Sequence, residues 1–274
     1  MNAEWNARRA IRMLGVVLLA GLVLVAVTAD VLAPYDPAAQ TGRPFEPPGV
    51  AHWLGTNDIG QDILSELVLG TRVSLSVGVL AATLSTALGT LVGVLAGYFR
   101  GRVETALMRA VDVVLTLPLL PLMILLSAYL GSSVWHLVGV IGLLTWARPA
   151  RVIRAETLSL VERDHIMAAR ALGAGDGRIM RRHVLPQLWS LVSAQFVLVA
   201  SSAIALEAGL SFLGLGDPTQ KSWGSMLYYA QARHAFLSGS WPWWVVPPGL
   251  MITASVLSFA FLAFGHREVR RTSS

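Results

Sequence analysis

Five stretches of this chain are long, apolar and free of formal charge, and they constrain its fold more than any other feature. They lie between Arg12 and Asp30, Arg72 and Arg100, Asp112 and Arg148, Arg182 and Glu207, and His234 and His266. A helix that crosses a membrane needs about 20 mainly apolar residues. The third stretch has room for two, with Gly131-Ser132-Ser133 as the turn between them. The pattern predicts an all-α, polytopic membrane protein of six transmembrane helices, near 12–33, 73–98, 106–130, 134–151, 190–213 and 246–265. Only 14% of the residues are charged, against about 25% in a typical soluble domain. With no cysteine, disulfide frameworks, thiolate zinc sites and thiol chemistry are excluded.

The net charge is +5, and all but one of the 21 basic residues are arginine, the exception being Lys221. Cytoplasmic loops of membrane proteins are enriched in Lys and Arg. With the N-terminus inside, cytoplasmic segments hold three arginines at 8–12, three at 100–109, eight at 148–182 and three at 267–271. Outer segments hold Arg43, Arg72, Lys221 and Arg233. Six spans with both termini in the cytoplasm account for this asymmetry, whereas an odd number would put the last cluster outside. The basic residues therefore record topology. They lack the clustered, aromatic-interleaved pattern of a nucleic-acid-binding surface.

The first apolar run, with Arg8, Arg9 and Arg12 before it and Val27-Thr28-Ala29 near its end, also has features of a secretory signal. It exceeds a usual signal core and further spans follow, so it is read as a retained anchor. The chain then divides into the anchor helix with an outer loop (1–72), a core transmembrane unit (73–265) with a cytoplasmic loop at 148–190, and a cytoplasmic tail (266–274).

Polar groups next to or inside the spans are the candidates for chemistry. In the outer loop, Asp58, Asp62 and Glu66 recur at four-residue spacing, which would place them on one helix face. They read either as a divalent-ion site or as a solvated face with an N-terminal cap. Asp112 reads as an N-terminal charge on its helix dipole. Glu207, deep in the fifth span, reads as a translocation-path residue or a buried pair. The second span has small residues at Ser74, Gly78, Ala82 and Thr86, then at Gly89, Gly93 and Gly97, a spacing that permits close helix packing. Pro118 and Pro121 should bend the third span. The six histidines are scattered, with no HExxH motif, and neither a catalytic residue nor a metal site is assigned.

The loop at 148–190 has eight arginines and four acids, enough to be folded and water-facing. Leu158, Leu160, Ile166, Ala169 and Leu172 predict a helix stopped by Gly173, and a second short helix is expected near 176–183. Such a helical hairpin suits docking of a soluble partner better than it suits resting on lipid head groups.

Here the sequence resembles the inner-membrane permeases of binding-protein-dependent ABC importers. Their cytoplasmic signature is Glu-Ala-Ala, a Gly after three residues, and Leu-Pro further on. Met167-Ala168-Ala169, Gly173 and Leu185-Pro186 keep that spacing, with Met167 at the Glu position. Trp53-Leu54-Gly55-Thr56-Asn57-Asp58, Arg72-Val73-Ser74-Leu75, the run from Glu207 to Gly216, and Ser222-Trp223-Gly224 resemble the second permease of dipeptide, oligopeptide and nickel importers. Gln61 stands where that branch often has Arg, and the basic 266–271 segment replaces its acidic tail.

The resemblance implies the type I ABC importer permease fold in a bacterial inner (plasma) membrane. It implies a translocation pathway shared with a second, homologous permease, two ABC ATPase subunits, and an extracytoplasmic binding protein docked over outer loops at 34–72 and 214–244. ATP and Mg would be bound by the ATPases, and no cofactor is expected in this chain, which lacks a GxxxxGK[ST] loop. Met167, Ala168, Ala169, Gly173, Leu185 and Pro186 would be the ATPase-coupling residues. Peptides are the expected substrate, with nickel or a metal chelate as the alternative. From another class, an ion-coupled secondary transporter without ATPases would show midplane charges and inverted repeats; Glu207 is the one good candidate charge.

Overall fold

The computed structural model describes residues 2–266. The tail expected to be cytoplasmic, with its basic residues beyond His266, lies outside them. Thirteen α-helices follow one another among the described residues: α1 (Asn2–Val27), α2 (Ala29–Leu32), α3 (Ile63–Phe99), α4 (Gly101–Thr116), α5 (Leu119–Leu130), α6 (Val134–Thr145), α7 (Ala147–Val161), α8 (Asp164–Ala171), α9 (Asp176–Ile179), α10 (Leu185–Leu210), α11 (Trp223–Ala232), α12 (Trp241–Trp244) and α13 (Val246–His266), with π-helical turns at Met180–Val184 and Ser211–Leu215. Among the described residues the only β pairing is two isolated bridges, Gln40–Gln61 and Thr56–Asp62. The chain is thus an all-helical membrane protein, with its longest apolar helices at 9–27, 63–99, 176–215 and 241–263.

Several boundaries differ from those predicted, each for a local reason. The second helix begins at Ile63, ten residues before the expected start, because Asp62 caps it by accepting from Ser65 N. Arg72 then falls inside the helix, where its guanidinium donates to the Asp30 carboxylate and the Ala26 carbonyl. The third expected helix is two: α4 and α5 form a pair bent by 86°. Leu117 is extended, as a residue before proline prefers. Pro121 sits in the first turn of α5, where a missing N–H leaves no hydrogen bond unmade. The fourth expected span is short, since α6 has 12 residues and rises about 18 Å before a turn at Trp146 leads into α7.

The cytoplasmic loop expected at 148–190 is mostly helix. α7 takes its first third, α8 its middle, and the chain from Asp176 to Leu215 is one helical rod. The short helix expected near 176–183 is the base of that rod. A π-helical turn at Met180–Val184 joins it to α10, with Leu185 N donating to Met180 O. Pro186 explains the widened turn: it lacks an N–H, and its ring crowds the carbonyl four residues back.

Packing centres on α3, a rod of about 55 Å. Its face at Gly89, Gly93 and Gly97 lies against α7. A Cβ at Gly89 would stand 2.7 Å from Pro149 Cβ, at Gly93 2.7 Å from Ala150 O, and at Gly97 2.6 Å from Thr157 Cβ. The missing side chains let the two backbones touch. The small residue at Gly78 instead admits Ile204 of α10, and α1 packs along α13. At the end of the bundle that carries α8, Val94, Tyr98, Ile153, Leu160, Ile166, Ile179, Val184 and Leu188 form one buried cluster.

Gly93→Ala should destabilise the protein by about 1–3 kcal/mol, the usual result of overpacking a tight contact. Gly21→Ala is the control, because nothing lies within 4 Å of a Cβ there. Thermal unfolding in detergent checks this, and equal midpoints for the two variants would contradict the α3–α7 contact.

Candidate functional site

The hairpin expected on the cytoplasmic side is built on α8. Its one buried side chain, Ile166, anchors it in the cluster beneath. Gly173 ends it with φ +83, a conformation that suits glycine. Ala174 N donates to Ala169 O and Gly173 N to Arg170 O, the bonding of a Schellman cap. Met167, Ala168, Gly173, Leu185 and Pro186 are exposed, and Ala169 is half-buried. Met167 is 50% and Leu172 89% exposed, so the turn presents apolar surface between arginines.

This turn is tied to the bundle at both sides. Tyr98 Oη at the end of α3 donates to Asp176 Oδ1 at 2.7 Å, and the Arg170 guanidinium lies 5.4 Å over the same ring. Arg100 pairs with Glu162 at 2.7 Å. Gln187 on α10 contacts His165 Nε2 at 2.9 Å and accepts from Arg163 at 3.3 Å. α8 itself thus touches α3 through Arg170 over Tyr98 and α10 through His165 and Gln187. These tethers were not foreseen from the sequence; Asp176, an acid directly after Gly175 in a basic loop, was the available signal.

At the opposite end, Glu207 of α10 is 1% exposed. Its Oε1 accepts from Ser211 Oγ at 2.7 Å. The hydroxyls of Ser74 and Ser222 also face the carboxyl, while Oε2 is buried without a hydrogen-bond partner among the described residues. Ser222 caps α11 in a capping box, and Trp223 N donates to Ser74 Oγ at 3.1 Å. Gly224 fits against Ala208, where a Cβ would stand 2.5 Å from the carbonyl oxygen. Glu207 thus sits where α3, α10 and the first turn of α11 meet.

The acids at 58, 62 and 66 do not share a helix face. Asp58 precedes the helix and pairs with Arg233 at 3.3 Å. Asp62 caps α3 and accepts from buried His52 at 2.9 Å. Glu66, 2% exposed, pairs with Lys221. Three partners account for three acids, and among the described residues no group of three His, Asp or Glu side chains could hold a metal ion. Asp112 is likewise corrected: it is the twelfth residue of the 16-residue α4, far from the N-terminus, and pairs with Arg151 of α7 at 2.6 Å.

Lys221, the only lysine, joins segments distant in sequence. Its ammonium donates to Glu66 and, at 2.6 Å, to Gln61 Oε1. Asn57 Nδ2 donates to the same two acceptors at 2.8 and 2.9 Å. Gln61 thus has a place as an acceptor that binds the 34–62 loop to the α10–α11 connection.

The family profile described as "Binding-protein-dependent transport system inner membrane component" matches residues 89–269. A Brucella suis protein named as a peptide permease is 38% identical over 257 residues, covering 93% of this chain and 84% of its own. A Brucella abortus protein named as a peptide transport system permease is 40% identical over 274 residues, covering 96% and 90%. The glutathione transport system permease of Pectobacterium atrosepticum is 35% identical over 250 residues, covering 90% and 82%.

Lys221→Met should leave Glu66 as a buried, unpaired charge and destabilise the fold by about 3–5 kcal/mol. Adding Glu66→Gln should recover most of that loss. Thermal unfolding of both single variants and the double variant reads the coupling, and additive losses would remove the pair from the account.

Proposed function

The chain belongs to the inner-membrane components of binding-protein-dependent transport systems, and from that premise we propose that it carries peptides inward as one permease of an ATP-driven pair. The names of its relatives support a peptide or peptide-like substrate, glutathione included, and do not favour nickel. An ion-coupled carrier working alone does not fit this family.

The observation that carries the reading is the exposed apolar turn of α8, held on a frame tied to α3 and α10. In the proposed assembly two ATPase subunits bind and hydrolyse ATP with Mg, and one of them seats the 167–173 turn. Ala168 and Ala169 admit close approach, Met167 and Leu172 offer apolar contact, and Leu185-Pro186 border the same surface. Closure of the ATPases pushes on α8. The Tyr98–Asp176, Arg100–Glu162 and Gln187–His165 contacts pass that push to α3 and α10. Because α3 and α7 touch backbone to backbone, they move as one body. At the outer end, the Glu207 junction carries the movement of α10 to α11, beside the path proposed for the peptide. An extracytoplasmic binding protein delivers peptide over the outer loops.

Ala168→Arg and Gly173→Arg should leave membrane insertion intact and abolish copurification of the ATPases. ATPase recovery at the unmodified level with both variants would contradict the docking assignment. Glu207→Ala should impair peptide uptake or protein yield, while Glu207→Gln, which keeps the shape and the Ser211 contact, should recover yield. Unchanged uptake and yield with Glu207→Ala would reduce the residue to a bystander.

A further inference from the structure

Between α11 and α12 the chain makes a short loop that closes on itself. His234, with φ +59, and Gly239, with φ +75, turn the backbone. Ala235 N donates to Ala230 O at 2.9 Å and Trp241 N to Ala235 O at 3.1 Å. Ser238 and Ser240 join hydroxyls at 2.8 Å. Ala235 and Ser240 are fully buried, so the base of the loop is fixed. Its tip presents the opposite: Phe236 is 62% and Leu237 85% exposed, and the Phe236 ring stacks on Trp241 at 6.3 Å.

A rigid loop that holds large apolar side chains away from the protein needs an apolar partner. We propose that Phe236, Leu237 and Trp241 are seated in the outer leaflet of the bilayer, at the level of the lipid head groups and upper acyl chains. Three observations select lipid over a protein. Trp241 is the first residue of the apolar 241–263 helical span, and aromatic residues concentrate where such spans meet the membrane–water interface. The loop continues a surface already facing outward: Pro242, Val246, Leu250, Thr253 and Leu257 are exposed at helical spacing on one face of α12 and α13. No Asp, Glu, Lys or Arg occurs from His234 to His266, so the loop tip itself carries no formal charge, and the nearest in sequence, Arg233, is paired with Asp58. The loop would fix the depth of α13 and of α1 beside it. Docking of a binding protein on this chain would then be confined to the 34–62 loop and the 214–222 connection. The inference rests on membrane insertion of the chain and is independent of the transported substrate.

The lack of cysteine makes the test direct. Leu237→Cys and Phe236→Cys are spin-labelled in the chain purified with the subunits it assembles with, in lipid nanodiscs without binding protein. Val50→Cys, at a side chain 98% exposed on the outer loop, is the water-facing reference. Collision rates with oxygen and with a water-soluble nickel chelate are read by electron paramagnetic resonance. Labels at 236 and 237 should show an oxygen-to-nickel ratio several-fold above that at 50. A ratio equal to the reference would place the tip in water and overturn the proposal. Protection from both reagents would place a protein partner there and overturn it equally.

Discussion

The close approach of α3 and α7 is the contact on which the rest of the structure depends. In a bilayer, lipid tails are as apolar as leucine, so burying apolar surface between helices gains little by itself. Helices associate through dense contact, and Gly89, Gly93 and Gly97 provide it by leaving α3 without side chains where Pro149, Ile153 and Thr157 of α7 approach. α7 then continues past the apolar layer with Ile153 and Leu160 packed in the cluster that holds Ile166 of α8. The position of the 167–173 turn is thereby referenced to α3, the longest single helix.

Polar interactions do a second kind of work, locating elements along these rods. Each fully buried acid has a specified neighbour: Asp62 has His52 and Ser65, Glu66 has Lys221 and Asn57, and Glu207 has the Ser211 hydroxyl. Such groups tolerate few alternative arrangements, because an unpaired buried charge is expensive. They lie where loops meet helices, at the base of the 34–62 loop and the start of α11. Helix shape is set by proline in the same economical way. Pro118 turns α4 away from α5, and Pro186 imposes a widened turn without ending the helix.

Much of this was legible in the sequence, and the limits have physical causes. Uncharged runs revealed the apolar helices because a bilayer filters composition so strongly. The Gly89, Gly93 and Gly97 spacing predicted a packing stripe, though not that α7 of the same chain would fill it. Helix starts were misplaced where a charge sits inside a helix with a partner far away, as Arg72 does with Asp30. The long cytoplasmic loop was overestimated because arginines cover the surfaces of α7 and the base of α10 as readily as they fill a loop. The exposed turn at 167–173 followed from its motif, but its tethers pair residues up to 78 positions apart, and no local pattern carries that information.

We propose that ATP hydrolysis by partner subunits drives peptide movement through the bundle containing this chain. The most direct measurement is uptake of a labelled dipeptide into proteoliposomes holding the assembled importer and its binding protein, with ATP supplied to the nucleotide-binding side. The account predicts uptake that requires ATP and stops when the partner ATPases are made unable to hydrolyse it. Uptake that continues with inactive ATPases and follows an imposed ion gradient would contradict it.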